Sequence, residues 1–352
     1  MEIRTLEKII NFDTSRKAAL CTQVEWRGSV PRKDYPMMLV DMQGEIIGTI
    51  GGGALEHSVI ELAQEIIKTK KSVLEIFDLT NQDVKKSGGI CGGSTTILIE
   101  PFYKYIRNIL KSILSDKILN DNILVTKISS KNEILIERTR IAADYNLSYP
   151  KKIVTVIDDV IKQNYSKSIN YNDEIFLIQN IGNRPVLHIF GAGHVGKAVA
   201  DLAHFIELDT KIYDERKDLA NSTRFPFALQ INDNEISRIN KNTNIAPTDY
   251  VLVATRGHQH DFELMRWLLT KKIDYLSLMS SKKKWQLLSE ALIKDGFSKE
   301  QINKVHSPVG LDIGSETVPE IAVSIIAEIV THYRNGAKSK IALSKRIFTL
   351  SD

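Results

Sequence analysis

Cysteine is nearly absent from this chain: Cys21 and Cys91 are the two in 352 residues. Two thiols cannot build the disulfide framework of a small secreted domain, nor a four-cysteine zinc site. The expectation is therefore a reduced, cytoplasmic setting in which a cysteine matters for its chemistry. Aromatic residues make up only 7%, and no apolar run approaches the roughly 20 residues that a membrane helix needs. The opening stretch MEIRTLEKII mixes charge with apolar residues, so no signal-peptide core is read there. Neither sign of charge dominates. Lys and Arg number 47 against 43 Asp and Glu, a net charge of +4 that is too mild to argue for nucleic acid or an anionic membrane as partner. What is present is ordinary globular material, 43% hydrophobic and 26% charged. At about 150 residues per domain the length predicts two domains, each with a core of its own.

The hydrophobic spacing predicts a short amphipathic helix over residues 1–10, then a strand at 18–26. PMMLVDM and EIIGTI, separated by Gln43-Gly44, read as a hairpin. Directly after it Gly51-Gly52-Gly53 opens a helix whose apolar residues run from Leu55 to Ile67. Two further strands, SVLEIFDL and STTILIEPF, flank a loop that contains Gly88-Gly89-Ile-Cys91-Gly92-Gly93. Between 104 and 180 the pattern is weaker, with a hairpin around Lys131-Asn132 and a strand at NDEIFLIQNI. From Arg184-Pro185 onward short apolar strands alternate with helical stretches, the signature of a doubly wound parallel sheet. The predicted fold class is α/β: an N-terminal α+β or mixed-sheet domain over 1–182, a Rossmann-like domain over 183–336, and a basic tail over 337–352.

Four constellations carry chemistry. Gly191-Ala-Gly193-His194-Val-Gly196 follows a predicted strand and opens a predicted helix, where a phosphate can meet free N–H groups and the positive end of the helix. Asp214 stands 18 residues past the last glycine, where a ribose hydroxyl is usually held, and Arg216 is near enough to accept additional phosphate. A nucleotide fold that has lost its nucleotide reads the same way. Gly51-Gly52-Gly53 offers a second strand-to-helix turn where an anion could bind, though on this feature alone a tight connection with no ligand is the better reading. Cys91, set among glycines, is an accessible thiol candidate, whereas Cys21 in an apolar strand reads as core. His258, His260 and Asp261 lie just beyond a Rossmann strand and suit either a metal or a loop-to-helix cap. His188 reads as core.

Taken in order, the motifs resemble the xanthine dehydrogenase accessory factor family, XdhC/CoxI. The first half matches through Gly28-Ser-Val-Pro31-Arg32, Gly48-Thr-Ile-Gly51-Gly52-Gly53 with Leu55-Glu56, and Cys91-Gly92-Gly93 running into Glu100-Pro101. The second half matches through Gly191–Gly196, Asp214-Glu-Arg216, Arg224-Phe-Pro226, Ser280-Ser-Lys-Lys-Lys284, Pro308–Gly314 and Pro319–Glu328. The run Lys33-Asp34-Tyr35-Pro36 departs from the family pattern. The resemblance implies an accessory protein that binds the molybdenum cofactor (molybdopterin), assists its sulfuration with a cysteine desulfurase, and delivers it to a xanthine dehydrogenase-type client. It also implies a cofactor chaperone in place of a catalyst, even where family members carry the dehydrogenase name. Arg32, Gly51–Gly53 and Cys91–Gly93 are then candidates to hold the cofactor, with Cys91 also the candidate reactive group. A homo-oligomer is expected. The rival reading is an NAD(P)-dependent oxidoreductase whose Rossmann domain holds nicotinamide, with His258 or His260 as proton donor.

Overall fold

In the computed structural model the described residues are 3–79, 92–115, 122–130, 133–141, 149–163, 165–181, 185–235, 238–239 and 243–335. The chain divides into two compact units, Met1–Asn183 and Arg184–Asp352. The basic tail lies outside the described residues.

Unit 1 begins with α1 (Ile3–Ile10), β1 (Ala18–Arg27), β2 (Met37–Asp41), β3 (Ile46–Gly48), α2 (Gly53–Thr69), β4 (Val73–Asp78), β5 (Ser94–Pro101) and α3 (Lys104–Ser115). It continues with β6 (Ile123–Ser129), β7 (Leu135–Ile141), α4 (Lys151–Gln163), β8 (Lys167–Tyr171) and β9 (Glu174–Asn180). Two sheets result, ordered β3-β2-β1-β5-β4 and β7-β6-β9-β8, and every pairing in them is antiparallel. Alternation along β1 explains the layers. Ala19 and Cys21 face α2, whose Leu55, Val59, Ala63, Ile66 and Ile67 fill that side. Leu20 faces α1, α3 and Leu124 of β6, and Val24 meets Leu177 of β9 on the same side. The second sheet thus covers the first, and α4 closes its far face through Ile153, Val156, Ile157 and Val160. Helices α3 and α4 and strand β8 fall in the stretch 104–180, where the sequence pattern predicts only a hairpin and one strand.

A salt bridge crosses between the sheets. Glu100 of β5 accepts both terminal nitrogens of Arg138 on β7, with the two side chains only 2% and 1% exposed. Burial of this kind requires the pair to be matched, since either ion alone would be uncompensated.

Unit 2 is built from β10 (Leu187–Phe190), α5 (His194–Phe205), β11 (Thr210–Tyr213), β12 (Gln230–Asn232), β13 (Tyr250–Val253), α6 (His258–Leu268), β14 (Tyr275–Leu278), α7 (Lys282–Lys294), α8 (Lys299–Ile302) and α9 (Val318–Asn335). The sheet order is β12-β11-β10-β13-β14, parallel throughout. The chain leaves β10 in one direction and returns to its other side at β13, which makes the β10–β13 junction the switch point where ligands enter such sheets. Both faces carry their own core. One holds Leu187, Ile189, Val199, Ile325 and Ile329, with α5 and α9, and the other holds Phe190, Val251, Val253, Leu264 and Leu288, with α6 and α7. His188 is fully buried between Tyr213 and Asp249, at 2.9 and 3.0 Å.

Candidate functional site

Unit 1 gathers three of the glycine motifs at one end of its first sheet. The β1 strand ends opposite the start of β5, Arg27 pairing with Ser94. Gly93 lies so close to the β1 exit that a Cβ on it would stand 2.2 Å from the Arg27 carbonyl oxygen. Gly28, at φ +70°, is crowded in return by the Gly92 carbonyl, 2.7 Å from a Cβ position. Gly51 abuts Pro31, at 2.8 Å in the same sense. Loops 28–36, 49–53 and the start of β5 are therefore one assembly, held by contacts that only glycine permits. Cys91 itself lies outside the described residues. Cys21 is fully buried beneath α2, and burial pushes its thiol pKa up, with the charge of Glu100 adding to the effect.

The triple-glycine turn contains its own anion. Oε1 of Glu56, in the first turn of α2, accepts the N–H groups of Ile50 at 3.1 Å and Gly52 at 2.9 Å, together with the Thr49 hydroxyl. The Thr49 hydroxyl in turn accepts the Gly51 N–H at 3.2 Å. A helix N-terminus favours a carboxylate for the reasons that it favours a phosphate. A phosphate at Gly51 and Gly52 would have to displace the chain's own carboxylate, so these residues do not fit the phosphate of a cofactor.

Arg32 is likewise engaged. It forms a fork with Asp34, Nε to Oδ1 at 2.9 Å and Nη2 to Oδ2 at 2.5 Å. Asp34 belongs to the run where the sequence leaves the family pattern. Buried Gln23 sets the Arg32 loop, its amide donating to the Arg32 carbonyl at 3.1 Å and to Thr95 at 3.0 Å.

Unit 2 presents the other glycine turn at the carboxyl edge of its sheet. Gly191 and Gly196 serve packing: a Cβ on Gly196 would meet the Gly191 carbonyl at 1.9 Å, and one on Gly191 the Ala254 carbonyl at 2.2 Å. Gly193 differs. It is the N-cap of α5, no side chain caps the helix there, and a Cβ on it would have nothing within 4 Å. The exposed His194 begins the helix. The Ala192 backbone between the glycines is held at both of its polar groups. Its N–H donates to Asp214 Oδ2 at 2.7 Å, and its carbonyl accepts Arg224 Nη1 at 2.9 Å.

Asp214 also accepts Arg216 through Nε at 2.8 Å, Nη2 at 2.6 Å and the backbone N–H at 3.1 Å. Burial pushes its carboxyl upward, but the bonds from Arg216 and Ala192 outweigh this and hold its pKa below the usual carboxylate value. The residue read as a ribose acceptor has both oxygens committed to the protein. Arg224, which the sequence offers only as part of a motif, is a loop clamp. Its separation from the glycines along the chain gives no sign of that.

Asp261 is fully buried beneath the neighbouring turn, accepting the Thr255 hydroxyl at 2.5 Å and the Lys284 ammonium. His260 is half-buried, and the His258 side chain lies outside the described residues. Among the described residues no group of three His, Cys, Asp or Glu side chains is placed to hold a metal ion. None of the helices described is long and apolar enough to cross a membrane.

Two family models match this arrangement, that of the XdhC and CoxI family over residues 12–78 and that of the XdhC Rossmann domain over residues 187–329. The chain belongs to the XdhC/CoxI family. A Bacillus subtilis relative, described as a probable subunit of xanthine dehydrogenase, is 26% identical, the alignment covering 91% of this chain and 94% of the relative. The Escherichia coli "Uncharacterized protein YqeB" is also 26% identical over 90% of this chain, which spans 44% of that protein's length. A crystal structure described as a xanthine dehydrogenase from Bacillus halodurans superposes with a TM-score of 0.80 at 23% identity, covering 99% of this chain and 100% of that one. That likeness establishes a shared fold.

Proposed function

We propose that this XdhC/CoxI protein is an accessory factor for a xanthine dehydrogenase-type enzyme, holding the molybdenum cofactor and assisting its sulfuration and insertion. One observation carries the reading. The backbone at Gly93 is locked against the exit of β1, beside Gly28 and the start of the loop that carries Arg32. Glycines on both sides of the crossing leave the backbone no room to be anything else, which is more restraint than a passive surface connection needs. The family, and the description of the Bacillus subtilis relative, support a dehydrogenase-type client. When bound, the cofactor supplies the molybdenum and dithiolene chemistry. The chain's part would be to hold it and to present the Cys91 thiol, with sulfur coming from a cysteine desulfurase.

The test is purification from a molybdenum-replete host, followed by elemental analysis for molybdenum and fluorescence of released pterin. The wild-type protein should carry both, and Cys91→Ala should fail to support activation of the apo molybdoenzyme. A protein free of both, together with a Cys91→Ala variant that activates the client normally, would sink the reading.

A further inference from the structure

Just before β2 the chain adopts a backbone that its local sequence opposes. Tyr35 takes φ +52°, in the left-handed region that residues other than glycine avoid, although Pro36 after it favours an extended conformation there. A conformation of this kind persists where its surroundings over-determine it. We infer that Tyr35 is the positioning residue of the Arg32 loop, fastening that loop to the second sheet of unit 1 so that Arg32 is presented in one conformation.

The fastenings come from both sheets. The Tyr35 side chain is 8% exposed, and its ring packs on Trp26, with centroids 4.6 Å apart, in a cluster with Val24, Leu98, Ile128 and Leu177. Its hydroxyl accepts the N–H of Ser168 at 2.8 Å, on β8, the edge strand of the second sheet. Its carbonyl accepts the Gln179 amide from β9 at 3.1 Å. From the first sheet, Gln23 holds the Arg32 carbonyl with its side chain and the Pro36 carbonyl with its backbone N–H, each at 3.1 Å. Three carbonyls within residues 32–36 are therefore held by two glutamines, each only 1% exposed. Arg32 begins this fastened run, in its fork with Asp34.

Comparison of side chains shows what the tyrosine adds. Glycine would take the same backbone without strain. Phenylalanine would fill the same apolar cluster. Only tyrosine also reaches the Ser168 N–H and joins the loop to β8. The second sheet, to which none of the glycine motifs extends, thereby belongs to the scaffold of the candidate site. The fastening needs no ligand, and only its consequence for the cofactor rests on the proposed function.

The test is the rate at which phenylglyoxal modifies Arg32 in the full-length protein, followed by peptide mass spectrometry. Tyr35→Phe keeps the ring and removes the hydroxyl, and Gln179→Met removes the other link at similar volume. Each should speed modification of Arg32 at least threefold, and the double variant at least tenfold. In Tyr35→Phe the Ser168 amide should also exchange with deuterium at least tenfold faster. Gln64→Met is the control for a merely structural effect. It removes a bond of the same kind, to the Met42 carbonyl at 3.1 Å, and should lower Tm without changing the Arg32 rate. An unchanged Arg32 rate in the double variant, a Ser168 amide as slow as in the wild type, or equal acceleration in Gln64→Met would each overturn the inference. Absence of molybdenum and pterin from the wild-type protein counts against the proposed function and not against this inference, which the Arg32 rate decides either way.

Discussion

Glu56 and Gly193 show how two turns of similar composition end differently, one capped by the chain's own carboxylate and the other by no side chain. In the first, one carboxylate oxygen receives two N–H groups and a hydroxyl. Hydrogen bonds to a charged acceptor contribute about 1.5–3 kcal/mol each before solvent exposure is considered. Glu56 is half-buried, so Glu56→Ala is expected to lower unfolding free energy by about 2 kcal/mol, measured by urea denaturation. Glycines sort in the same way. Gly196→Ala places a methyl 1.9 Å from a carbonyl oxygen, and Gly93→Ala one at 2.2 Å. Neither contact can be relieved by rotating a side chain. Both variants should lose more than about 3 kcal/mol or fail to accumulate as folded protein, which circular dichroism and soluble yield would reveal.

Single ionic groups also bind elements together, and their effect on stability follows from pH. Asp249 closes the start of the β10–β13 pair, accepting the N–H groups of Val186 and Ala246 and the ring of His188. Burial raises its pKa, but the His188 bond and the two backbone bonds outweigh that and leave it below the ordinary carboxylate value. Asp214 shares the direction. A carboxyl with a depressed folded pKa stabilises above its unfolded value, near about 3.9, and loses that contribution as pH falls through the folded value. Unit 2 should therefore weaken steadily below about pH 4, and Asp249→Asn should flatten that part of the Tm-against-pH profile. In unit 1 the ion pair between the sheets predicts a different signature. Arg138→Met leaves Glu100 buried without its partner and should cost about 3–5 kcal/mol. Replacing Glu100 with Gln in the same protein should restore much of the loss, a coupling that a double-mutant cycle in urea would measure directly.

At the scale of the whole molecule each unit has its own cores, and among the described residues none of the six apolar clusters draws on both. Residues 1–183 and 184–352, produced separately, should each give a cooperative thermal transition by calorimetry. The parallel sheet of unit 2 was legible because its strands are buried on both faces, and apolar runs such as Tyr250–Val253 are not confused with alternating ones. Helices α3 and α4 carry apolar residues at helical spacing, Ile106, Leu110 and Ile113 in one and Ile153, Val156, Ile157 and Val160 in the other, yet only the strands around them were read from the sequence. The family was legible too, from the order of its glycine-containing motifs along the chain. Composition, motif order and helix or strand period are local properties, and the sequence determined them by itself. Which glycine turn is capped by the chain's own carboxylate, and which has its Ala192 backbone held by Asp214 and Arg224, depended on side chains four residues or more than twenty residues away. Only the tertiary structure could decide that, because a hydrogen bond is set by distance in space, and the folding of the chain brings Arg224 to Ala192.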